Sequence, residues 1–368
     1  MKKRIISLVL AALAAVSLCS CAGNVRPPKD TAAAPDGPSG SNDGQVLMDK
    51  PEDKTVEVFT VPDGVTKIPD YAFYGFKNLK EVILPESLTE IGEQSFYQCT
   101  ALESVTLPAG LKRIAASAFC YCSTLEKIVL PDGLYEIGEG AFSDCTALTE
   151  AIIPESVTMI GKCAFSGCRA LKKAVMPSGV KTVPDSMFYE CEALTDVTVG
   201  ENVTVIEKAA FGSCRALISV RLPDGVTEIR ELAFANCNSL ESINIPAGVT
   251  VLPRSCFERC GFTHLDLPDS VTEIGEKVFE SCKNLKTVNP GKNLKKIGDR
   301  AFFWSALEEI TLPDTVGSFG ENVFGSCDGL KKITVSEKTL VKLSLANDSA
   351  ALKAFFCPYT DTEVSVVD

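Results

Sequence analysis

The chain has 368 residues, of which 45% are hydrophobic and 23% charged, and its formal net charge at pH 7 is −12. An acidic protein of this kind is a poor partner for nucleic acid or for an anionic membrane surface, because both carry the same sign of charge. The composition therefore argues against a nucleic-acid function, while the hydrophobic content is ample for a folded core.

The N-terminal residues predict an export signal. Residues 2–4 are basic, and the apolar stretch over residues 5–18 is too short to span a bilayer comfortably. Residues 18–21 read Leu-Cys-Ser-Cys, which resembles the bacterial lipobox and implies cleavage after residue 20 and a lipid on Cys21. An ordinary signal peptide with a chance cysteine is the alternative. Cleavage removes the three basic residues, so the mature chain would carry a charge of −15 instead of −12.

The next segment, residues 22–54, predicts a flexible linker. It contains five prolines, four glycines and no aromatic residue. Such a sequence cannot bury enough apolar surface to offset the entropy of ordering its backbone. A lipid anchor followed by an extended linker would hold the rest of the protein away from the membrane.

A phenylalanine recurs through the rest of the chain at a nearly constant spacing. Nine of its eleven steps are 23 residues and two are 22, a period typical of solenoids in which each repeat forms one coil. A single coil cannot bury its apolar side, but stacked coils share one continuous core. The repeated residues are Phe73, Phe96, Phe119, Phe142, Phe165, Phe188, Phe211, Phe234, Phe257, Phe279, Phe302 and Phe324.

Other positions of the repeat predict its local structure. An apolar-x-apolar-Pro segment in most coils predicts a short strand with one buried face, ended by the proline. These strands would stack in parallel about 4.8 Å apart. A second apolar pair, such as Val226 and Ile229, would return the chain across the core. The Gly-x-x-Ala-Phe stretch that follows in many coils predicts a helical turn or a 3₁₀ segment.

The repeat resembles the BspA-like, treponemal-type leucine-rich repeat. Leu-x-x-Val-x-Leu-Pro-x-x-Val-x-x-Ile-Gly-x-x-Ala-Phe-x-x-Cys describes most coils, and residues 240–245 carry the Leu-x-x-Leu-x-Leu core of leucine-rich repeats in general. The resemblance covers about residues 56–335 and implies an α/β solenoid, mostly of short parallel strands, that forms a right-handed superhelix of about twelve coils. Family members are cell-surface proteins with diverse partners, and some are reported as adhesins.

These patterns divide the chain into four predicted segments. Residues 1–20 are the lipoprotein signal peptide, 21–54 the lipid-anchored linker, 55–335 the leucine-rich-repeat solenoid and 336–368 a C-terminal cap. Apolar residues from Leu340 to Phe356 have helical spacing. We expect this segment to cover the last coil, whose core edge would otherwise be exposed.

Ten coils carry a cysteine three residues after the phenylalanine, and we expect these thiols to be free. Exported proteins usually pair their cysteines. In-register coils, however, keep neighbouring Cβ atoms about 4.8 Å apart, whereas a disulfide needs about 3.8 Å. A line of thiols also does not converge on a zinc ion. The sequence therefore predicts buried, free cysteines, and no metal or cofactor.

The chain offers little for catalysis. His264 is the only histidine, and its counterparts in other repeats are polar, so we expect it on the surface. No set of nucleophile, base and metal ligand stands out among the acidic residues. The pattern predicts a protein that is not an enzyme.

Two features suggest a binding surface instead. The outward position of the predicted strand is apolar in much of the first half of the solenoid, at Ile83, Val129, Ile152 and Val175, and polar in the second half. Such a stripe either marks an interaction site or reflects the general preference of β-branched residues for strands. Both interpretations stay open.

The second feature is Trp304, the only tryptophan. Other repeats mostly have a small or polar residue at this position, and this repeat lacks one residue before Leu307. Trp304 is either an exposed aromatic residue that contacts a partner or is turned inward to replace the missing cysteine.

The sequence thus predicts a protein-interaction module, anchored outside the cell by a lipid, with an unidentified protein partner and with adhesion to host or other cell-surface proteins as one form of this function. A glycan- or solute-receptor lipoprotein is the alternative, which the scatter of seven tyrosines and one tryptophan along the sequence disfavours. An enzyme is a more remote alternative.

Overall fold

The computed structural model describes residues 45–47, 52–345, 349–356 and 362–367. In these residues the chain forms a solenoid of about twelve coils with parallel strands, which confirms the predicted architecture. Each coil contains a first strand, a second strand and a turn segment that carries the repeated phenylalanine. The predicted signal peptide and Cys21 lie outside the described residues.

The first strands of the coils form the first sheet, in which most strands pair with the counterpart one coil away, as Ala151 does with Ala174, and the pairing is interrupted at three places. Its strands are β2 (Val58–Thr60), β4 (Glu81–Ile83), β6 (Ser104–Val105), β8 (Lys127–Ile128), β10 (Glu150–Ile152), β12 (Lys173–Val175), β14 (Asp196–Thr198), β16 (Ser219–Val220), β18 (Ser242–Ile243), β20 (His264–Asp266), β22 (Thr287–Asn289), β24 (Glu309–Thr311) and β26 (Lys332–Ser336).

The second strands form the second sheet in the same way. They are β1 (Gln45–Val46), β3 (Val65–Ile68), β5 (Glu90–Ile91), β7 (Arg113–Ile114), β9 (Glu136–Ile137), β11 (Met159–Ile160), β13 (Thr182–Val183), β15 (Val205–Ile206), β17 (Glu228–Ile229), β19 (Val251–Leu252), β21 (Glu273–Ile274), β23 (Lys296–Ile297) and β25 (Ser318–Phe319).

Prolines account for the two interruptions of the second sheet, between β11 and β13 and between β17 and β19. In an uninterrupted coil the residue after the strand donates its N–H to the preceding coil, as Gly161 does to the carbonyl of Ile137 at 2.8 Å. Pro184 and Pro253 occupy this position after β13 and β19. Proline has no N–H to donate, so the ladder stops at these two coils.

The repeated phenylalanines form one continuous stack through the core. All twelve are almost completely buried, and rings of successive coils are stacked with centroids 5.0 to 6.0 Å apart and planes 2° to 25° from parallel. Aromatic pairs favour offset over eclipsed stacking. Centroid distances larger than the spacing of about 4.8 Å between paired strands fit such an offset.

The turn segment differs from the predicted helical or 3₁₀ turn. In the first coil the N–H of Phe73 donates to the carbonyl of Ser95 in the next coil (2.7 Å), whereas the N–H of Tyr74 donates back to Tyr71 (3.2 Å). Tyr71 has a φ of 59°, and left-handed residues recur two positions before and after most of the phenylalanines. The prediction of a 3₁₀ segment was wrong because alternate N–H groups point to the neighbouring coil.

The ten ladder cysteines are free and buried, as predicted. They are not merely small apolar side chains, however. Each thiol donates a hydrogen bond of 2.9 to 3.2 Å to the carbonyl of the repeated phenylalanine in the preceding coil, as Cys191 does to Phe165. This bond gives a second partner to a buried carbonyl, since backbone oxygens have two lone pairs.

Both ends of the solenoid contain more strand than the sequence predicted. Residues 45–47 fall in the predicted linker, yet β1 pairs with β3 and Leu47 is buried against the first coil. At the other end two helices replace the expected single one: α1 (Glu337–Lys342) and α2 (Ser349–Phe356). The chain then adds β27 (Glu363–Val367) to β26 as a further parallel strand.

The phenylalanine stack should dominate stability. Phe188→Ala in the middle of the stack should cost about 3–5 kcal/mol of unfolding free energy, because it removes a fully buried ring between two others. The exposed Asp196→Ala, at the start of the next coil, is the control and should change stability by less than about 0.5 kcal/mol. Urea melts measure both changes, and similar losses for the two variants would contradict the stacked core.

The cysteines should make the fold sensitive to alkali. Burial raises the pKa of the thiols of Cys145, Cys168 and Cys191 well above its usual value. Since the unfolded thiols lose their protons near pH 8.5, stability should be unaffected below that pH and should fall as the pH rises further, by about 1.4 kcal/mol per pH unit for each buried thiol.

The triple variant Cys145→Ala/Cys168→Ala/Cys191→Ala isolates this effect from the titration of lysine and tyrosine. Between about pH 9 and pH 10.5 the unfolding free energy of the variant should fall less steeply than that of the natural protein. The difference between the two slopes should be about 4 kcal/mol per pH unit, the combined contribution of the three thiols. Equal slopes for the variant and the natural protein would show that these thiols are not buried in the folded state.

Candidate partner-binding surface

The structure brings three of the four predicted strand residues together. Ile152 pairs directly with Val175 on the next coil, and Val129 lies in the same outward column on the preceding coil. Val129 is 80% exposed, the largest fraction of any large apolar side chain in the described chain, and Ile152 is 46% exposed. Val175 is half-buried. We call Val129, Ile152 and Val175 the apolar stripe.

Ile83 belongs to the same column but is not continuous with the apolar stripe. It is 47% exposed and pairs with Thr60, while Thr106 separates it from Val129. The column therefore presents two apolar areas: the single residue Ile83, and the apolar stripe, which spans three coils.

A charged column runs beside the apolar stripe. Lys127, Glu150 and Lys173 are exposed and each stands two residues before its member of the apolar stripe. Lys173 lies 4.0 Å from Asp196. An apolar centre with a polar rim is the usual organisation of a protein-binding surface. The stiff β-branched side chains lose little rotamer freedom when a partner covers them.

The polar half of the first sheet is held by hydrogen bonds between neighbouring strands. His264 is on the surface, as predicted, with a side chain 47% exposed. Its Nδ1 lies 2.5 Å from the hydroxyl of Thr287, and its Nε2 lies 3.0 Å from the carboxylate of Asp266. Asn289 also donates to Asp266, at 2.6 Å. The sequence alone did not reveal that the histidine has these partners.

This row of hydroxyl, imidazole and carboxylate has the order of a catalytic triad but not its surroundings. Asp266 is 71% exposed, and the row lies on an open strand face. Nucleophilic catalysis by a hydroxyl depends on a site that excludes water and aims donors at the developing oxyanion. We therefore interpret the row as polar surface that can make hydrogen bonds.

Asn244 proves to be a structural residue on this surface. Its side chain accepts a hydrogen bond from the N–H of Leu222 (2.7 Å) and donates one to the carbonyl of the same residue (2.8 Å). The amide oxygen thus takes the place of the backbone carbonyl that accepts the equivalent N–H in other coils, as the carbonyl of Val175 does from Ile153. Sequence reasoning placed Asn244 among ordinary outward polar residues, because an asparagine at a strand position carries no signal of such a role.

Trp304 lies on a turn, away from the apolar stripe. It is 37% exposed and has a φ of 60°. The interpretation that it replaces the missing cysteine is wrong, because Ser305 occupies that position, is buried and lies 3.4 Å from the sulfur of Cys327. The serine takes the inner position, and the indole is left at the surface.

The structure also gathers four tyrosines that are scattered in the sequence. Tyr74 and Tyr97 are stacked with ring centroids 5.0 Å apart. The ring of Tyr71 lies 6.1 Å from that of Tyr74, and the ring of Tyr121 lies 5.6 Å from that of Tyr97. Burial, with smaller effects of nearby acidic groups, raises the pKa of Tyr97 to about 12. Tyr74 and Tyr97 share the position one residue after the phenylalanine, but Tyr71 and Tyr121 stand at other positions of the repeat, and sequence reasoning did not show that they lie beside the stacked pair.

Comparison with known proteins places these features in a family. The family model of the BspA type leucine rich repeat region matches residues 52–172, 136–262 and 250–363, in six copies. The chain therefore belongs to the BspA-type leucine-rich-repeat family. Such proteins are repeat scaffolds, typical of bacterial surface proteins and of protein-interaction modules. A search of curated proteins gave no match.

Solved structures share the fold. A leucine-rich repeat protein from Bacteroides ovatus is 28% identical, with a TM-score of 0.59 and coverage of 76% of each chain. A leucine rich cell surface protein from Faecalibacterium prausnitzii is 24% identical, with a TM-score of 0.51 and coverage of 90% of this chain and 96% of the other. The pneumococcal vaccine antigen PcpA is 22% identical, with a TM-score of 0.54 and coverage of 85% and 79%.

A membrane-spanning helix is not found among the described residues, where every helix is too short or too polar to cross a bilayer.

Asn244 should be more important for stability than its exposed neighbours. Asn244→Ala should cost about 1–3 kcal/mol, because it leaves the N–H and the carbonyl of Leu222 without their partner. Asp266→Ala, on the same face, should cost less than about 1 kcal/mol because its contacts are exposed. Thermal melts distinguish the two, and equal destabilisation would contradict the structural role of the asparagine.

Proposed function

We propose that this protein is an exported, lipid-anchored interaction module that binds a protein partner through the apolar stripe. The observation that carries the proposal is a run of β-branched side chains on three successive coils, exposed at Val129 and Ile152 and half-buried at Val175, beside a column of charged residues. An exposed apolar patch with a polar rim is costly to leave in water and is typical of an interaction site. The family's association with bacterial surface proteins supports the same class of function.

The proposed anchor explains how the solenoid would be presented to a partner. The lipobox-like residues 18–21 support a lipid on Cys21, and the proline- and glycine-rich segment after it supports a spacer between membrane and solenoid. Adhesion to proteins of a host or of another cell is the form of binding that this arrangement favours. We infer that the chain is not an enzyme, since the open polar surface around His264 offers no enclosed site for chemistry.

The stripe can be tested by placing charge on it. Val129→Glu with Ile152→Glu should weaken binding to purified extracellular matrix proteins at least about tenfold, because an apolar interface would have to desolvate both carboxylates. The fold should lose only about 1 kcal/mol, since both side chains face solvent. Surface plasmon resonance on the mature chain gives the affinity, and a thermal melt gives the stability.

A matched control uses the same column of the first sheet. Thr311→Glu with Thr334→Glu adds the same charge to two directly paired strands in the polar half and should leave binding unchanged. Unaltered binding by a stripe variant that melts normally would refute the proposed site. Outright unfolding of the stripe variant would show that these residues belong to the core.

The lipid anchor has its own test. Cys21→Ala should abolish incorporation of a fatty-acid label and release the protein from the membrane, because the thioether forms on that sulfur. Cys19→Ala is the control and should remain labelled. Labelling that persists in Cys21→Ala would exclude the proposed lipidation site.

A further inference from the structure

The second short repeat leaves a notch in the surface of the solenoid. A standard coil has two residues between its ladder cysteine and its leucine, as Lys283 and Asn284 stand between Cys282 and Leu285. The coil of Phe302 has only Ala306 there. A cavity of about 390 Å³ lies beside this shortened turn, and its lining includes Ala306, Trp304, Lys283, Glu308 and Gly329.

Trp304 forms one wall of the notch and is fixed there by its neighbours. The Nζ of Lys283 donates a hydrogen bond to the carbonyl of Trp304 (2.9 Å) and lies 5.4 Å from the centre of the indole. Phe303 packs against the other part of the side chain at 5.2 Å and is itself covered by the guanidinium of Arg300 at 4.1 Å. The indole is therefore held by an ordered frame while more than a third of the residue is exposed.

The polar side chains that line the notch have more unused hydrogen-bond donors than unused acceptors. Glu308 receives Lys331 on one oxygen (2.7 Å) and Lys286 on the other (3.3 Å), and these contacts lower the pKa of the Glu308 carboxyl. An ammonium group has three N–H donors, and the structure uses one on each of the three lysines that line the notch. Asp328 is the other carboxylate of the lining. The remaining donors face an exposed aromatic wall.

We propose that this notch binds an acidic sugar unit, a pyranose ring that carries a carboxylate or a sulfate. The indole supplies a flat apolar surface for the ring. The free N–H groups of Lys283, Lys286 and Lys331 donate hydrogen bonds to the oxygens of the anionic group. A pocket of this kind, with an aromatic wall and a few fixed polar groups, matches the usual organisation of small-ligand sites.

The charge of the whole chain limits the size of the ligand. The net charge of −12 repels long polyanions, whereas the cationic notch attracts a single acidic unit at short range. The site therefore favours the end or one unit of an acidic glycan over a stretch of it. The proposal is independent of the protein-binding stripe, which lies on the first sheet and not on the turns.

Trp304 is the only tryptophan, so its fluorescence reports on this notch alone. A hyaluronan tetrasaccharide, which contains glucuronate, should change the emission of the mature chain in a saturable way. Chitotetraose, a neutral oligosaccharide of similar size, should bind at least about tenfold more weakly, and sodium sulfate likewise. In the absence of sugar, iodide should quench the emission more strongly than caesium, because the lysines attract anions to the indole.

Variants separate the roles of charge and ring. Lys283→Gln with Lys331→Gln should weaken binding of the acidic tetrasaccharide at least about tenfold and remove the preference for iodide. Lys67→Gln with Lys162→Gln removes the same charge from outside the notch and should have no effect. If the first variant melts early, Trp304→Ala, measured by calorimetry because it lacks the reporter, should abolish binding of the acidic sugar.

Three results would overturn the proposal. Equal affinity for the neutral and acidic sugars would remove the role of the lysines, and equal affinity for sulfate alone would reduce the notch to an anion site. No saturable change in emission or heat up to about 10 mM of the acidic sugar would show that the notch does not bind it, since this concentration corresponds to less than 3 kcal/mol of binding free energy.

Discussion

The structure depends on hydrogen bonding between successive coils in a constant register. The first sheet, the second sheet and the turn segment each bond to the neighbouring coil, as Ile153 does to Val175, Gly161 to Ile137 and Phe142 to Ala164. Because the register is constant, residues at the same repeat position form columns through the whole protein. Each column must then satisfy the same packing demands in nearly every coil. This is why phenylalanine, cysteine and leucine recur at their positions.

The register also explains the chemistry of the core. The thiols do more than fill volume in the core, because each donates a hydrogen bond to the carbonyl of a phenylalanine in the preceding coil. The turn segment uses alternate N–H groups for the next coil, so its carbonyls face in a consistent direction. The first sheet, in contrast, leaves its outward column free of such demands. Variation there costs little stability except where a side chain bonds the backbone, as Asn244 does, and this column is the place where a binding surface can evolve.

Departures from the repeat produce the local features of the surface. Pro184 and Pro253 interrupt the second sheet because they cannot donate. Asn244 replaces backbone bonds with its side chain. The missing residue before Leu307 shortens one turn, and the notch beside Trp304 lies at this turn. In a repeat protein each of these irregularities can be recognised by comparison with the regular structure of the flanking coils.

Much of this could be predicted from the sequence, and the parts that could not have physical reasons. The spacing of Phe73 and its counterparts predicted the coils, and the column geometry predicted free cysteines. The same repeat did not reveal the alternating turn bonds, because backbone direction leaves no trace in side-chain pattern. The exposure of Trp304 depended on which of two adjacent residues would fill the cysteine position. The tyrosine cluster and the partners of His264 required knowledge of which columns are neighbours across coils.

A count of reactive thiols tests the in-register stack most directly. The folded protein should react with Ellman's reagent at few sites, since the ladder cysteines are buried and free. Denaturation in guanidinium without reductant should then expose about ten further thiols, because a spacing of about 4.8 Å between coils does not permit disulfides within the ladder. Cys163, outside the ladder, is disulfide-bonded and is expected to react only after reduction. Ladder thiols that also appear only after a reductant is added would contradict the constant register and with it the architecture described above.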